Sequence, residues 1–196
     1  EGVAVITVKT VDGNFTAACT ITVKKDEPGP QPVGGKDVID YAATGMTGAT
    51  GAYADFAIKN TTSGAEYIIN AYDKNTVTCL QLRTNNNTSG FVTTKSAGKL
   101  ASVTIKFNTK TTAERKVNIY ATNNAFASPA DLYNTDLAHV AQLVYAVGSE
   151  EQTYTFTGDF QFIGVRSADG ALYLDTIEVV WAGSEPVVPV AVTGVT

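Results

Sequence analysis

The sequence predicts an all-β protein built as an antiparallel β-sandwich or jelly roll. Three observations carry this. Short segments with period-2 alternation of apolar and polar residues recur at roughly 8–15-residue spacing, the rhythm of stacked antiparallel strands. Turn chemistry separates them, in "TNNNTSG", "NTKTTAE", "VGSEE", "TGD" and "ADG". Charged residues are only 17% of the chain, below the ~25% usual for globular domains. Thr, Asn, Ala, Val and Gly are abundant, the palette of strands and turns rather than of surface helices.

The first element is "GVAVITVKTVDGNFTAACTITV" (2–23), read as two strands turning at Asp12-Gly13-Asn14. Its second half puts Phe15, Ala17, Cys19, Ile21 and Val23 on one face and threonines and alanines on the other. Residues 25–37 follow as a Pro/Gly-rich linker. The main domain is expected over 38–182, with strands at 66–72, 77–83, 90–94, 99–108, 115–122, 142–147, 152–158, 160–168 and 171–182. One helical turn is predicted at "SPADLYN" (128–134), with Ser128 at the N-cap, Pro129 at the first helical position and Asp131 in the first turn. In "ALYLDTIEVVW" (171–181), strict alternation places Tyr173, Asp175, Ile177, Val179 and Trp181 on one face, with Trp181 in the core. Residues 183–196 read as a second linker and the beginning of a further strand.

Residue 1 is Glu and the only Met is Met46, so the chain reads as a piece of a longer one. The net charge of −5 comes with no basic stripe, which argues against nucleic acid. No apolar run approaches the ~20 residues that span a bilayer. Cys19 and Cys79 are expected to be buried free thiols, and with a single histidine, His139, they cannot complete a four-ligand zinc site.

Residues 1–24 resemble the closing strands of group 2 bacterial immunoglobulin-like domains. The match rests on Gly2, Ile6-Thr7-Val8, Asp12-Gly13-Asn14, Ala18 and Cys19-Thr20-Ile21-Thr22-Val23. "VAVTGVT" (190–196) looks like the opening strand of another copy. The run from "GKLASVTIKFN" through "NNAFASPADLYN" to "GALYLDTIEVVW" is similar to β-sandwich modules of secreted and surface proteins of gut Bacteroidetes. This resemblance covers roughly 38–182 and implies a jelly-roll, galactose-binding-like fold, Ig-like spacers and export to the cell surface. Truncated Ig-like strands at 3–23 and 190–196 have open edges, and are expected to pack on the main domain, to pair with a neighbouring chain or to be disordered.

Several residues speak the chemistry of sugar binding, in which aromatic faces stack on C–H groups and planar amides and guanidinium forks bond hydroxyls. The long stretch "IYATNNAFASPADLYN" (119–134) offers Asn123, Asn124, Phe126 and Tyr133. The bland alternative is that Phe126 and Leu132 plug the sandwich while the asparagines serve turns. Arg83 and Arg166 stand on otherwise apolar strands, where an arginine needs a partner or a rim. The resemblance also makes Asp175 a candidate ligand for a structural Ca²⁺, although scattered acids and the lack of a D-x-D-x-D-G loop speak against one. No other cofactor is expected.

No G-x-S-x-G, H-E-x-x-H, P-loop or GxGxxG pattern occurs. The expected function is therefore a non-catalytic, monomeric ligand-binding module of an exported bacterial surface protein. Its expected partner is a glycan, with a structural spacer or a domain adhering to host or matrix protein as the alternative.

Overall fold

In a computed structural model, residues 2–13, 15–23, 33–74, 76, 78–84 and 86–183 are described. The chain divides into two compact units. One contains strands β1 (Gly2–Lys9) and β2 (Thr16–Val23), an antiparallel hairpin with Gly2 opposite Val23 and Lys9 opposite Thr16. Gly13 takes the left-handed φ of 93° that closes the turn. The described side chains from Val5 to Thr20 are all exposed, Phe15 at 74%; two strands bury no core by themselves. Cys19 is therefore exposed rather than buried, whereas Cys79 is buried; both are free thiols. Residues 190–196 lie outside the described residues.

The other unit is an all-β antiparallel sandwich. Its strands are β3 (Val33–Ile39), β4 (Ala52–Ile58), β5 (Glu66–Asp73), β6 (Leu80–Arg83), β7 (Gly90–Lys95), β8 (Lys99–Phe107), β9 (Lys116–Thr122), β10 (Ala141–Val144), β11 (Glu151–Thr155), β12 (Phe162–Ser167) and β13 (Ala171–Ala182). A six-stranded sheet runs β10-β9-β12-β7-β5-β4. The facing sheet runs β11-β8-β13-β3, and β6 lies end to end with β3 along the same edge of β13. A single 3-10 turn spans Pro129–Tyr133, where Asp131 reaches back to accept the backbone N–H groups of Ala127 and Ser128. No described helix is long and apolar enough to cross a membrane.

The chain enters the sandwich earlier than its composition suggests. Val33–Ile39, which carries the last residues of the Pro/Gly-rich stretch, is strand β3, paired with β13 from Ile39–Ile177 to Val33–Ala182. Ala52–Ile58 forms a strand the sequence reading passed over, although "AYADFAI" alternates Ala54, Phe56 and Ile58 against Tyr53 and Asp55. In β13, strict alternation fails. The register shifts between Leu174 and Thr176 on pairing with β8. The extra residue inverts the phase, so that Leu172 and Leu174 face inward before it and Ile177, Val179 and Trp181 after it. Asp175 sits at this irregularity and accepts 2.6 Å from Asn108 Nδ2.

The core contains Ile69, Phe91, Ile105, Val165, Leu174 and Trp181, all fully or almost fully buried. At one end it holds a carboxylate. Asp37 of β3 is 2% exposed. It accepts from Ser63 N–H at 2.9 Å, the Ser63 hydroxyl, the Tyr67 hydroxyl at 2.6 Å and Trp181 Nε1–H at 3.1 Å. Four neutral donors meet the carboxyl group, which is the condition for burying it.

Asp37→Asn leaves the same shape but turns one acceptor into a donor facing donors. It is expected to lower stability by about 2–4 kcal/mol, read as a shift in the urea-unfolding midpoint. A second carboxylate tests the pH dependence. Burial pushes the Asp73 pKa up, but N–H groups of Gly48 and Thr50 and hydroxyls of Thr50 and Tyr41 more than offset it, holding the carboxyl below its ordinary 3.8. A depressed folded pKa gives stability that is complete above the unfolded value and lost as pH falls through the folded one. Thermal midpoints of the native chain should therefore fall between about pH 5 and about pH 2 with a slope that Asp73→Asn reduces.

Candidate functional site

The outward face of the six-stranded sheet carries the polar and aromatic side chains that the core does not use. On β5, Tyr67, Ile69 and Ala71 go inward, leaving Ile68, Asn70 and Tyr72 outward. On β9, Val117, Ile119 and Ala121 go inward, leaving Asn118 and Tyr120. Cross-strand register aligns these into a row. Asp55 lies opposite Asn70, Asn70 opposite Gly90, Arg166 opposite Asn118, and Asn118 opposite Gln142. Gly90 abuts Arg166, whose Cβ would lie 3.5 Å from a Cβ placed at Gly90. Within the row, Asn70 Nδ2 donates to Asp55 Oδ1 at 2.6 Å, and Gln142 Nε2 to Asn118 Oδ1 at 2.7 Å.

Both sequence-singled arginines in this region lie over rings. The Arg83 guanidinium is 4.1 Å from the Tyr53 ring centre, and Tyr53 packs on Tyr72 at 5.2 Å. Arg166 lies 4.6 Å from the Tyr133 ring and 5.6 Å from that of Tyr120, and its Nε donates to the Tyr120 hydroxyl at 2.8 Å. Tyr133 connects Arg166 to the main chain of Arg83. Its ring faces Arg166, while its hydroxyl donates to the carbonyls of Ser89 at 2.8 Å and Arg83 at 3.1 Å. Burial raises the phenol pKa of Tyr133, and the charge of Arg166 works against the rise. Tyr53 is pushed up to about 12, by burial first, with Arg83 opposing. Two buried atoms here have no partner among the described residues, Asn70 Oδ1 and Arg83 Nε, while the Tyr53 hydroxyl interacts with Gln81.

The segment after β9 folds down onto this face. Phe126 and Leu132 join Val92 and Tyr120 in a second apolar cluster, with Ile68, Tyr133, Leu137 and Phe162 at its margin. Phe126 is thus a mostly buried anchor of this cluster, at the wall of a shallow cleft. Asn123 and Asn124 are exposed in the turn leaving β9. Asn124 borders a shallow cleft with Thr122, Asp131 and Asn134, outside the arginine cluster. A larger recess is lined by residues 37–39, 42–45 and 57–62, and Asp37 on its wall already accepts four hydrogen bonds.

So Arg166, Tyr133 and the main chain of Arg83 come together, Phe126 packs in the apolar cluster that Tyr133 borders, and Asn123 and Asn124 lie in the exposed turn outside the arginine cluster. The sequence reading missed Tyr53, Asp55, Asn118 and Gln142; the period-2 alternation of β4 and β9 was the available signal. Among the described residues no three His, Cys, Asp or Glu side chains gather around a point where a metal ion could sit, and Asp175 contacts Asn108. The chain matches no protein-family model, and no relative of it is found among curated proteins.

The covering segment rests on glycines. A methyl added at Gly164 would collide with Leu132 Cδ2, and one at Gly90 would lie 2.9 Å from Leu132 Cδ1. Gly164→Ala should cost about 1–3 kcal/mol through overpacking, and Leu132→Ala about 2–5 kcal/mol through the cavity left. The double variant should lose less than the sum, since truncating the leucine removes the collision; urea unfolding of all three gives the coupling.

Proposed function

We propose that the sandwich is a non-catalytic binding module of jelly-roll type, that its ligand is a glycan, and that it belongs to an exported bacterial surface protein. One observation carries the reading. The outward face of the six-stranded sheet aligns amides and the Arg166 guanidinium in a row, Arg83 of β6 lies over Tyr53 of its edge strand β4, and Asn70 Oδ1 and Arg83 Nε lack partners among the described residues. Core packing does not require such a row, and unpaired buried polar atoms are costly unless something repays them. Planar amides and guanidinium edges suit sugar hydroxyls. The partly exposed residues Arg83, Tyr133 and Arg166 with Gln142 at the sheet edge form the contact surface, and Asn70 and Asn118 orient it from beneath. Asn123 and Asn124 serve as an outer rim. No cofactor enters the reading; export and surface location rest on the resemblance of the chain's ends to Ig-like modules.

The test is a glycan-array screen of the full chain, with and without Ca²⁺. Saturable binding that Gln142→Ala weakens at least severalfold, with the unfolding midpoint unchanged, is the expected result. Binding that requires Ca²⁺ and disappears in Asp175→Asn would bring in a metal. Folded, monodisperse protein that binds no glycan would overturn the reading in favour of a spacer or protein-adhesion domain.

A further inference from the structure

The three arginines of the chain, Arg83, Arg115 and Arg166, share a feature that is unusual in an acidic protein of net charge −5. Among the described residues the ion pairs are Lys36–Glu178, Lys95–Glu66 and Lys99–Asp159, all made by lysines. None of the three arginines reaches a described carboxylate, although the guanidinium fork is the better carboxylate partner. Arg115 spends its charge on backbone, donating to the Asp169 carbonyl at 3.2 Å and packing against Gly170. Arg83 and Arg166 instead lie over tyrosine rings at 4.1 Å and 4.6 Å. A ring occupies the face of a guanidinium and leaves its N–H edge free. For Arg166 the Nε–H is used by the Tyr120 hydroxyl, while Arg83 Nε is buried with no partner among the described residues. Both side chains are partly exposed; Tyr133 bonds the main-chain carbonyl of Arg83 and turns its ring to the Arg166 guanidinium.

From this arrangement we infer that the site takes an anionic glycan, with Arg83 and Arg166 binding oxyanion groups of its sugars, either uronate carboxylates or sulfate esters. The inference rests on the glycan-binding reading and adds the charge of the ligand. Rings clamp the guanidinium planes, so little side-chain entropy remains to be lost when an oxyanion meets their edges. Tyr133 links the two arginines through the Arg83 main-chain carbonyl and the Arg166 guanidinium, so the site presents two cationic edges. That suits a polymer with repeated charges better than one with an isolated charge. Asp55, at the far end of the row, already accepts from Asn70 and disfavours a second acid there.

The experiment is calorimetric titration of the full chain with polygalacturonate, with a sulfated glycosaminoglycan and with a neutral polysaccharide of similar length, at low and at moderate salt. Binding to one of the anionic polymers, weakened by salt, is expected, and the two anionic arms tell carboxylate from sulfate. Arg166→Gln and Arg83→Gln should each reduce that affinity about tenfold or more, the worth of one charge-assisted fork. Arg166→Lys should recover only part of it. Lys106→Gln removes the same charge from an exposed position on the other sheet, and should leave binding unchanged. Unfolding midpoints accompany each variant, so that a folding defect is recognised. Equal losses in Lys106→Gln would reduce the effect to net charge and overturn the assignment. Binding to the neutral polymer alone, indifferent to both arginines, would overturn the anionic ligand while leaving glycan binding intact. Binding to none of the three, with the array also negative, would overturn both.

Discussion

The sandwich depends on a buried carboxylate held by neutral donors alone. Asp37 belongs to the five-stranded layer, yet one of its donors, the Tyr67 hydroxyl, comes from the six-stranded layer, and another, Ser63, from the turn just before β5. Trp181 of β13 completes the set and also donates to the Tyr67 oxygen at 3.1 Å. Burial raises the Tyr67 phenol far above its ordinary pKa, and the bond to Asp37 and its charge add to the rise. The phenol therefore remains a donor across the whole working pH range. A hydrophobic contact in this position would tolerate sliding of one sheet over the other. A saturated carboxylate does not, because any slip strands a buried charge. The register of β3, β5 and β13 is fixed together by this group.

The same logic explains what the sequence disclosed and what it hid. Period-2 patterns in β8, β12 and most of β13 are legible because each strand buries one face. Asp37 was hidden by its neighbours: "PVGGKD" has the composition of a linker, and only pairing with β13 makes a strand of it. Its two glycines have a packing reason. A Cβ on Gly34 would run into the backbone of Trp181 and Ala182, and one on Gly35 into Ser63. Composition reports such glycines as flexibility, when here they permit close approach. The phase of β13 was hidden for another reason. Its one mark in the sequence is the polar pair Asp175-Thr176 between two apolar phases, and the pairing to β8 shows that Asp175 is the extra residue.

The candidate site was half legible. Arg83 and Arg166 stood out because charges on apolar strands demand an explanation, and both turn out to be stacked on rings. Tyr133 was visible through its loop. Phe126 was read in two ways, as a sugar platform and as a plug, and its burial beside Leu132 follows the second. What sequence could not supply is the row. Asp55, Asn70, Arg166, Asn118 and Gln142 come from five different strands far apart in the chain, and nothing local joins them. Register does, and register is a long-range property set by the core on the other face.

The two faces of the six-stranded sheet thus answer to different constraints. Inward, Ile69, Phe91 and Val165 are interchangeable only with residues of like volume, and Tyr67 must also keep its hydroxyl for Asp37. Outward, part of the sheet is closed by the apolar cluster of the 123–139 segment, and that cover ends where Arg166 begins. Leu132 settles onto Gly90 and Gly164, two strand positions without side chains, and the adjoining Tyr133 turns its ring to the guanidinium. The glycines let the segment approach closely enough for Tyr133 to reach both the Ser89 carbonyl and Arg166. Small residues in the strands, an apolar anchor in the loop and an aromatic clamp on the charge form one device. Removing the anchor would free the clamp, so the positioning of the arginine is a consequence of packing and not of a charge partner.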